Sequence, residues 1–323
     1  MFVRYVLAIF AIMSLASLAP SYAQHHSGST APPIDLDGLK ITLSTILFPE
    51  DFTYDDGKAN LSIRLFDSET NVNVKSVTYR VQIFHEDNLV ANEYFFDEDG
   101  KLDLEIRPTT GCQEQSIWKC TKYYGEKHAI AGGYYARGDS IPIIQGPVFD
   151  KSGQYSVKVS IVGATNPKTM TTKDLFFETF LYIPTKETFL IKSAQAQEFP
   201  ISVKSYNNEI TSFSYDESLK KITYEMSYDT ENIQLHNSSH SQIISMPKNF
   251  FDFKQEYDLD IFVDGMKLKD NSFEFNVSNP NENIIRVNIP HEELLSLKSR
   301  PDNTNSAKVE ILSGDQIQFN QID

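Results

Sequence analysis

The sequence predicts an all-β chain: two immunoglobulin-like β-sandwich domains in tandem behind a signal peptide, with one short helix near the C-terminus. Three observations carry that expectation. From Leu39 onward, apolar and polar residues alternate with period two in short segments, as in strands that bury one face and wet the other. Turns rich in Asp and Gly punctuate the segments, and helical periodicity is almost absent. A chain of 323 residues also exceeds the usual size of a single core, so two domains are expected.

The N-terminus comes first. Arg4 supplies a positive start, Tyr5 to Leu18 is an uncharged apolar run, and Ser21-Tyr22-Ala23 follows Pro20 with small residues where a signal peptidase reads. Residues 1–23 are therefore expected to be removed by a cut after Ala23. The run is shorter than the roughly 18 apolar residues that span a bilayer, and no later segment is longer. The mature chain is expected to lack a transmembrane helix and to be secreted, extracellular or pseudoperiplasmic. Residues 24–33, with Ser27-Gly-Ser-Thr-Ala-Pro-Pro33, read as a mobile tail.

The first domain is expected over 34–185. Leu39 to Leu43, Ala59 to Phe66, Ser76 to Phe84 and Leu102 to Ile106 alternate, as do Gly153 to Val162 and Leu175 to Ile183. Asp55-Asp56-Gly57 and Asp97-Glu98-Asp99-Gly100 reverse the chain between them, since Asp bonds its own backbone and Gly tolerates positive φ. Residues 108–147 break the rhythm as a long insertion rich in Gly and Tyr. Lys186 to Phe199, with the small polar run Ser193 to Gln197, reads as a linker. The second domain is expected over 200–323, with strands at Pro200 to Lys204, Ile210 to Tyr215, Lys221 to Tyr228, Tyr257 to Val263, Ser272 to Val277, Asn283 to Ile289 and Ala307 to Leu312. Its helix runs from His291 to Lys298, opened by Pro290, with Glu292 and Glu293 where the helix dipole favours negative charge.

Phe199-Pro-Ile-Ser-Val-Lys-Ser-Tyr206, Ile210-Thr-Ser-Phe-Ser-Tyr-Asp216, Met246-Pro-Lys-Asn-Phe250 and Val263-Asp-Gly265 carry a resemblance. In these segments the second half resembles a β-domain of uncharacterised exported proteins of ammonia-oxidising archaea (Thaumarchaeota). The first half, from Gln24-His-His-Ser-Gly28 to Phe180, is similar to such proteins as well. The resemblance implies a cell-surface or pseudoperiplasmic setting and implies no reaction. Some of those proteins end in a membrane or sorting segment; this chain ends at Gln321-Ile-Asp323.

Composition narrows the partners. Lys and Arg number 29 against 44 Asp and Glu, a formal charge of −15, which excludes a nucleic-acid ligand of the ordinary kind, held by clustered cations. The two cysteines, Cys112 and Cys120, are expected to close a small disulfide loop, because a metal site needs more ligands than this pair and His128 offer. Trp118, Tyr123, Tyr124, Tyr134 and Tyr135 crowd the same insertion. They read either as exposed contact rings of a binding site or as a satellite core beneath the loop.

Three further sets of residues could carry chemistry. If the cut follows Ala23, a terminal amine, two backbone amides and the imidazole of His26 form a square-planar nitrogen set for Cu(II); if Gln24 is also lost, His25 leads and can chelate through amine and ring. His85, His128, His236, His240 and His291 are dispersed, and Asn237-Ser-Ser between His236 and His240 argues against their sharing a helix face. Asp97, Asp99, Asp103 and Glu105 cluster around Gly100, but Gly falls at the fourth position and Pro108 at the twelfth, so a hairpin explains them better than a Ca²⁺ loop.

Asn60, Asn237 and Asn276 begin glycosylation sequons. No G-x-S-x-G, H-E-x-x-H or phosphate-cradling glycine loop occurs. The expected function is a noncatalytic module that binds a protein or glycan at the cell surface through the insertion. The alternative is an exported copper-binding protein using His25 and His26.

Overall fold

In a computed structural model of the chain, the described residues are 27–192, 197–206, 208–228, 240–250, 259–298 and 305–313. The chain is all-β. Its first part contains β1 (Gly28–Thr30), β2 (Ile34–Asp35), β3 (Lys40–Phe48), β4 (Ala59–Asp67), β5 (Val72–Asn73), β6 (Val77–His85), β7 (Asn88–Asp97) and β8 (Lys101–Pro108). The insertion then gives β9 (Lys122–Tyr124), β10 (Glu126–Lys127), β11 (Tyr134–Tyr135) and β12 (Ile143–Gly146), before the long pair β13 (Gly153–Thr165) and β14 (Thr172–Ile183). One sheet is ordered β1-β3-β4-β8-β12-β9, with β2 and β5 at its side; the facing sheet is ordered β10-β11-β7-β6-β13-β14.

Alternation builds these sheets. In β6 every odd residue from Val77 to Ile83 is buried and every even one half-exposed, the signature of a strand with one dry face. Leu43, Leu61, Ile63 and Leu104 from one sheet meet Val81, Ile83, Tyr155 and Val157 from the other in one cluster. Each such side chain, fully buried, stabilises the fold by roughly 1.5–3 kcal/mol.

The second part holds β15 (Thr185–Lys192), β16 (Glu198–Tyr206), β17 (Asn208–Asp216), β18 (Lys221–Tyr228), β19 (His240–Pro247), β20 (Leu259–Val263), β21 (Met266–Lys267), β22 (Phe273–Asn276), β23 (Glu282–Ile289), helix α1 (His291–Lys298) and β24 (Ser306–Ser313). Its sheets are ordered β15-β16-β19-β23-β22 and β17-β18-β24-β20-β21. They enclose a separate core that includes Ile201, Val203, Tyr224, Ile244, Val287 and Val309. The sandwich class thus matches the expectation, whereas these strand orders do not by themselves establish an immunoglobulin topology.

Three segments differ from the sequence reading. Gly28–Thr30 is not a loose tail: it pairs with Ile46–Ser44 and gives the edge of β3 a partner for its backbone groups. The expected linker is strand at both ends, since Thr185–Lys192 pairs residue for residue with Ser205–Glu198. Only Pro184 separates β14 from β15. The insertion, expected only to break the strand rhythm, is itself built into both sheets. Its β12 lies parallel to β8, a pairing that needs a long crossover, and residues 109–142 supply it.

The two parts meet beside Pro49 to Gly57. Lys204 Nζ donates to the Asp51 backbone oxygen at 2.6 Å and to Asp51 Oδ2 at 2.9 Å. The Tyr206 hydroxyl donates to the Glu50 carbonyl at 3.3 Å, and Lys186 reaches Asp55 at 3.4 Å. No helix among the described residues is long and apolar enough to cross a membrane.

Candidate functional site

The outer face of the sheet containing β7, β6, β13 and β14 sets exposed rings beside charged and amide side chains. Its inward phase is spent on core: Tyr79, Val81 and Ile83 in β6, Val157 and Val159 in β13, Leu175 and Phe177 in β14. The alternate residues therefore point outward, and antiparallel register aligns them in three rows. Tyr94, Arg80, Ser160 and Phe176 form one. Asn92, Gln82, Lys158 and Glu178 form the next. Phe84, Ser156 and Phe180 form the third.

The middle row is polar throughout, and each flanking row carries rings. Tyr94 is 46% exposed, Phe176 66% and Phe180 42%. Four strands span about 14 Å across, and rows two residues apart lie roughly 7 Å from one another. The polar groups hold each other in place. Arg80 Nε donates to Asn92 Oδ1 at 3.1 Å, Ser156 donates to Glu178 at 2.6 Å, and Lys158 sits 3.5 Å from Glu178 and 4.9 Å from the centre of the Phe84 ring. Rings beside preordered donors and acceptors form an amphipathic surface with little rotamer freedom left to lose on binding.

The insertion borders this face. Gly133 lies so close to β7 that a Cβ there would stand 2.6 Å from the Phe95 carbonyl carbon, which only glycine avoids. That approach sets Tyr134 opposite Phe95 in parallel register, and the next residue, Tyr135, falls on the outer side. His128 packs 4.5 Å from Phe96 and 5.4 Å from Tyr135, ring centre to ring centre, so an aromatic group closes one end of the face.

The five aromatic candidates of the insertion are divided by the fold. Tyr123 and Tyr134 turn inward against Phe95 and the core. The Tyr123 hydroxyl accepts the Asn92 backbone N–H at 2.7 Å, and burial pushes its pKa up to about 12. Both rings are satellite core. Trp118 and Tyr124 stay 38% and 44% exposed, but Tyr124 lies on the opposite sheet, in the row that also holds Ile143, Glu105, Asn60 and Phe48. The five therefore do not form one patch. Cys112 and Cys120 are bonded and close the loop that carries Trp118.

Other sequence candidates fall as follows. His25, His26, His236 and Asn237 lie outside the described residues. His240 is buried in β19, opposite Ile289, and is not a surface histidine. Asp97 Oδ1 accepts the backbone N–H of Asp99 and of Lys101, each at 2.8 Å, so the carboxylate cluster builds the β7–β8 hairpin. Among the described residues, no three His, Cys, Asp or Glu side chains gather as a metal site would require. Asn60 is exposed at the start of β4. Asn276 accepts the Ser278 hydroxyl at 2.6 Å at the end of β22.

Sequence reading missed Arg80, Gln82, Asn92, Tyr94, Lys158, Phe176 and Glu178. One signal was present: in Leu175-Phe-Phe-Glu-Thr-Phe-Leu181 rings occupy the water-facing phase of an otherwise alternating strand. Searches against protein families, curated proteins and solved structures find no match to this chain.

Proposed function

We propose that the chain is a noncatalytic, exported surface module that recognises a glycan on the outer face of β7, β6, β13 and β14. The observation that supports this most is the polar row Asn92, Gln82, Lys158 and Glu178, with Tyr94 and Phe176 in the row on one side and Phe84 and Phe180 in the row on the other. A pyranose offers an apolar ring face and an equatorial rim of hydroxyls, and this surface offers rings for the first and amide, ammonium and carboxylate groups for the second. A protein partner would favour a drier centre depleted of charge. A cell-surface or pseudoperiplasmic setting suits such a module, and the resemblance to exported archaeal β-domain proteins points the same way.

A glycan array probed with the purified chain tests the proposal. Retention on a defined set of saccharides is expected, with loss in Tyr94→Ala and in Phe176→Ala while the fold, followed by circular dichroism, persists. Retention unchanged in both variants would remove this face from consideration.

A further inference from the structure

We infer that the saccharide recognised on this face carries a carboxylate, and that Arg80 is the group that reads it; the inference rests on the glycan-binding reading above. Charge on the face is unevenly settled. Lys158 is neutralised by Glu178 at 3.5 Å, and at the neighbouring edge Lys127 is paired with Glu93 at 3.8 Å. Arg80 has no carboxylate within ion-pair distance among the described residues. Its Nε is held by Asn92 Oδ1 at 3.1 Å. That bond fixes the plane of the guanidinium and leaves its terminal nitrogens to a ligand.

The surroundings argue that this cation is kept for an anion from outside. The chain has a formal charge of −15, so acids are plentiful elsewhere on its surface, yet the four strands place none opposite Arg80. Its cross-strand partners are Tyr94 on one side and Ser160 on the other. Arg80 is half-buried, which lowers the local dielectric and strengthens a pair made there. A planar guanidinium held by one nitrogen presents a two-pronged donor edge, and a carboxylate is the planar acceptor that fits it with two parallel hydrogen bonds. The adjacent rings supply the stacking surface for the sugar that bears the acid. A uronic acid unit combines both features. A free small carboxylate would meet the arginine and leave Tyr94 and Phe176 unused.

The experiment compares acidic polysaccharides (polygalacturonate, alginate and hyaluronan) with their carboxyl-reduced counterparts, using affinity electrophoresis and titration calorimetry on the full chain at fixed ionic strength. At least one acidic member is expected to bind at least tenfold more tightly than its reduced form. Arg80→Gln, which preserves a donor to Asn92 Oδ1, is expected to lower the ratio of acidic to reduced binding by about ten- to a hundredfold, the ratio and not the absolute affinity for either form being the readout. Equal binding of acidic and reduced forms, or an unchanged preference in Arg80→Gln, overturns the inference. If Tyr94→Ala still abolishes binding in that case, the glycan-binding reading survives alone. If none of the six polymers binds, or if binding ignores both Arg80 and Tyr94, both fall.

Discussion

Thr45 donates its hydroxyl to Thr179 Oγ1 at 2.9 Å, across 134 residues of sequence, and both side chains are buried. Thr179 in turn donates to the Val157 carbonyl at 3.4 Å. Thr45 belongs to β3 and Thr179 to β14, so this pair joins the two sheets of the first sandwich along one side. Close by, the Phe180 N–H is satisfied by Ser29 Oγ at 2.7 Å. The seam anchors the outer strand that carries Phe176 and Glu178.

Breaking the pair from one side should cost more than removing it. Thr179→Val leaves the buried Thr45 hydroxyl without its acceptor and is expected to destabilise the chain by about 1–2 kcal/mol, whereas replacing both threonines by valine restores a matched apolar contact. The double variant should therefore lose less than the sum of the single losses, measured by denaturant unfolding as a double-mutant cycle. Strict additivity would show that the hydroxyls do not interact.

The junction between the two parts should respond to acid. Partial burial pushes the Asp51 carboxyl pKa up, but the hydrogen bond and charge of Lys204 outweigh it, and the net value lies below the ordinary carboxylate range. A group whose folded pKa is depressed stabilises the fold above its unfolded pKa of about 3.9 and loses that contribution as pH falls through the folded value. Lys204→Gln removes the compensation and leaves the burial, so the Asp51 pKa is expected to rise toward or above its unfolded value, and the part of the acid weakening that this carboxyl contributes is expected to shrink or reverse. Side-chain carboxyl NMR titration of Asp51 in both forms checks this; an unmoved value would exclude Lys204 as the cause.

Gly133→Ala should detach the insertion from β7. The new methyl would meet the Phe95 backbone at 2.6 to 2.8 Å, and backbone cannot step aside as a flexible side chain can. A loss of about 2 kcal/mol or more is expected from overpacking of this kind. Limited proteolysis should show new cleavage between Gly125 and Pro142, with the cores of both sandwiches intact. A variant as resistant as the parent would mean that β11 does not rest on β7.

Tyr123→Phe keeps the ring in the core and deletes the acceptor of the Asn92 N–H. A cost of about 1–2 kcal/mol follows from the stranded amide. In the parent protein this phenol is expected to ionise near pH 12, after ordinary exposed tyrosines, because burial disfavours the phenolate. Ultraviolet absorbance titration of parent and variant isolates that late step. Its absence from the difference would contradict the inward placement of the ring.

Much of the fold was legible because alternation is a local property. Ala59 to Phe66, Ser76 to Phe84 and Gly153 to Val162 announced β4, β6 and β13 through period two alone. β7 escaped for a physical reason: an irregularity between Ile83 and Phe84 shifts the register, and Val90 and Ala91 are both buried in succession, so its sequence does not alternate. β15 escaped because its outward residues include Leu190 and its inward phase is only partly dry. Of the candidate site, the insertion was recognised as unusual, and Tyr135 does border the face. Tyr123 and Tyr134 were legible as aromatic but not as inward, since strand phase in three- and two-residue strands is set by their partners.

What the sequence determined by itself is therefore the all-β class, the short helix after Pro290, the turn chemistry at Gly57 and Gly100, and a charge that turns away nucleic acids held by cation clusters. Each follows from neighbours along the chain. What only the tertiary structure decided is that Asn92, Gln82, Lys158 and Glu178 stand in one row with rings on either side, and that Arg80 stands in the row beside them with no acid partner among the described residues. Those residues come from four strands and lie between Arg80 and Phe180 along the chain, and no local pattern relates them. Register does, and register is fixed by pairing between distant strands, by the irregularity beside Phe84 and by the seam at Thr45 and Thr179.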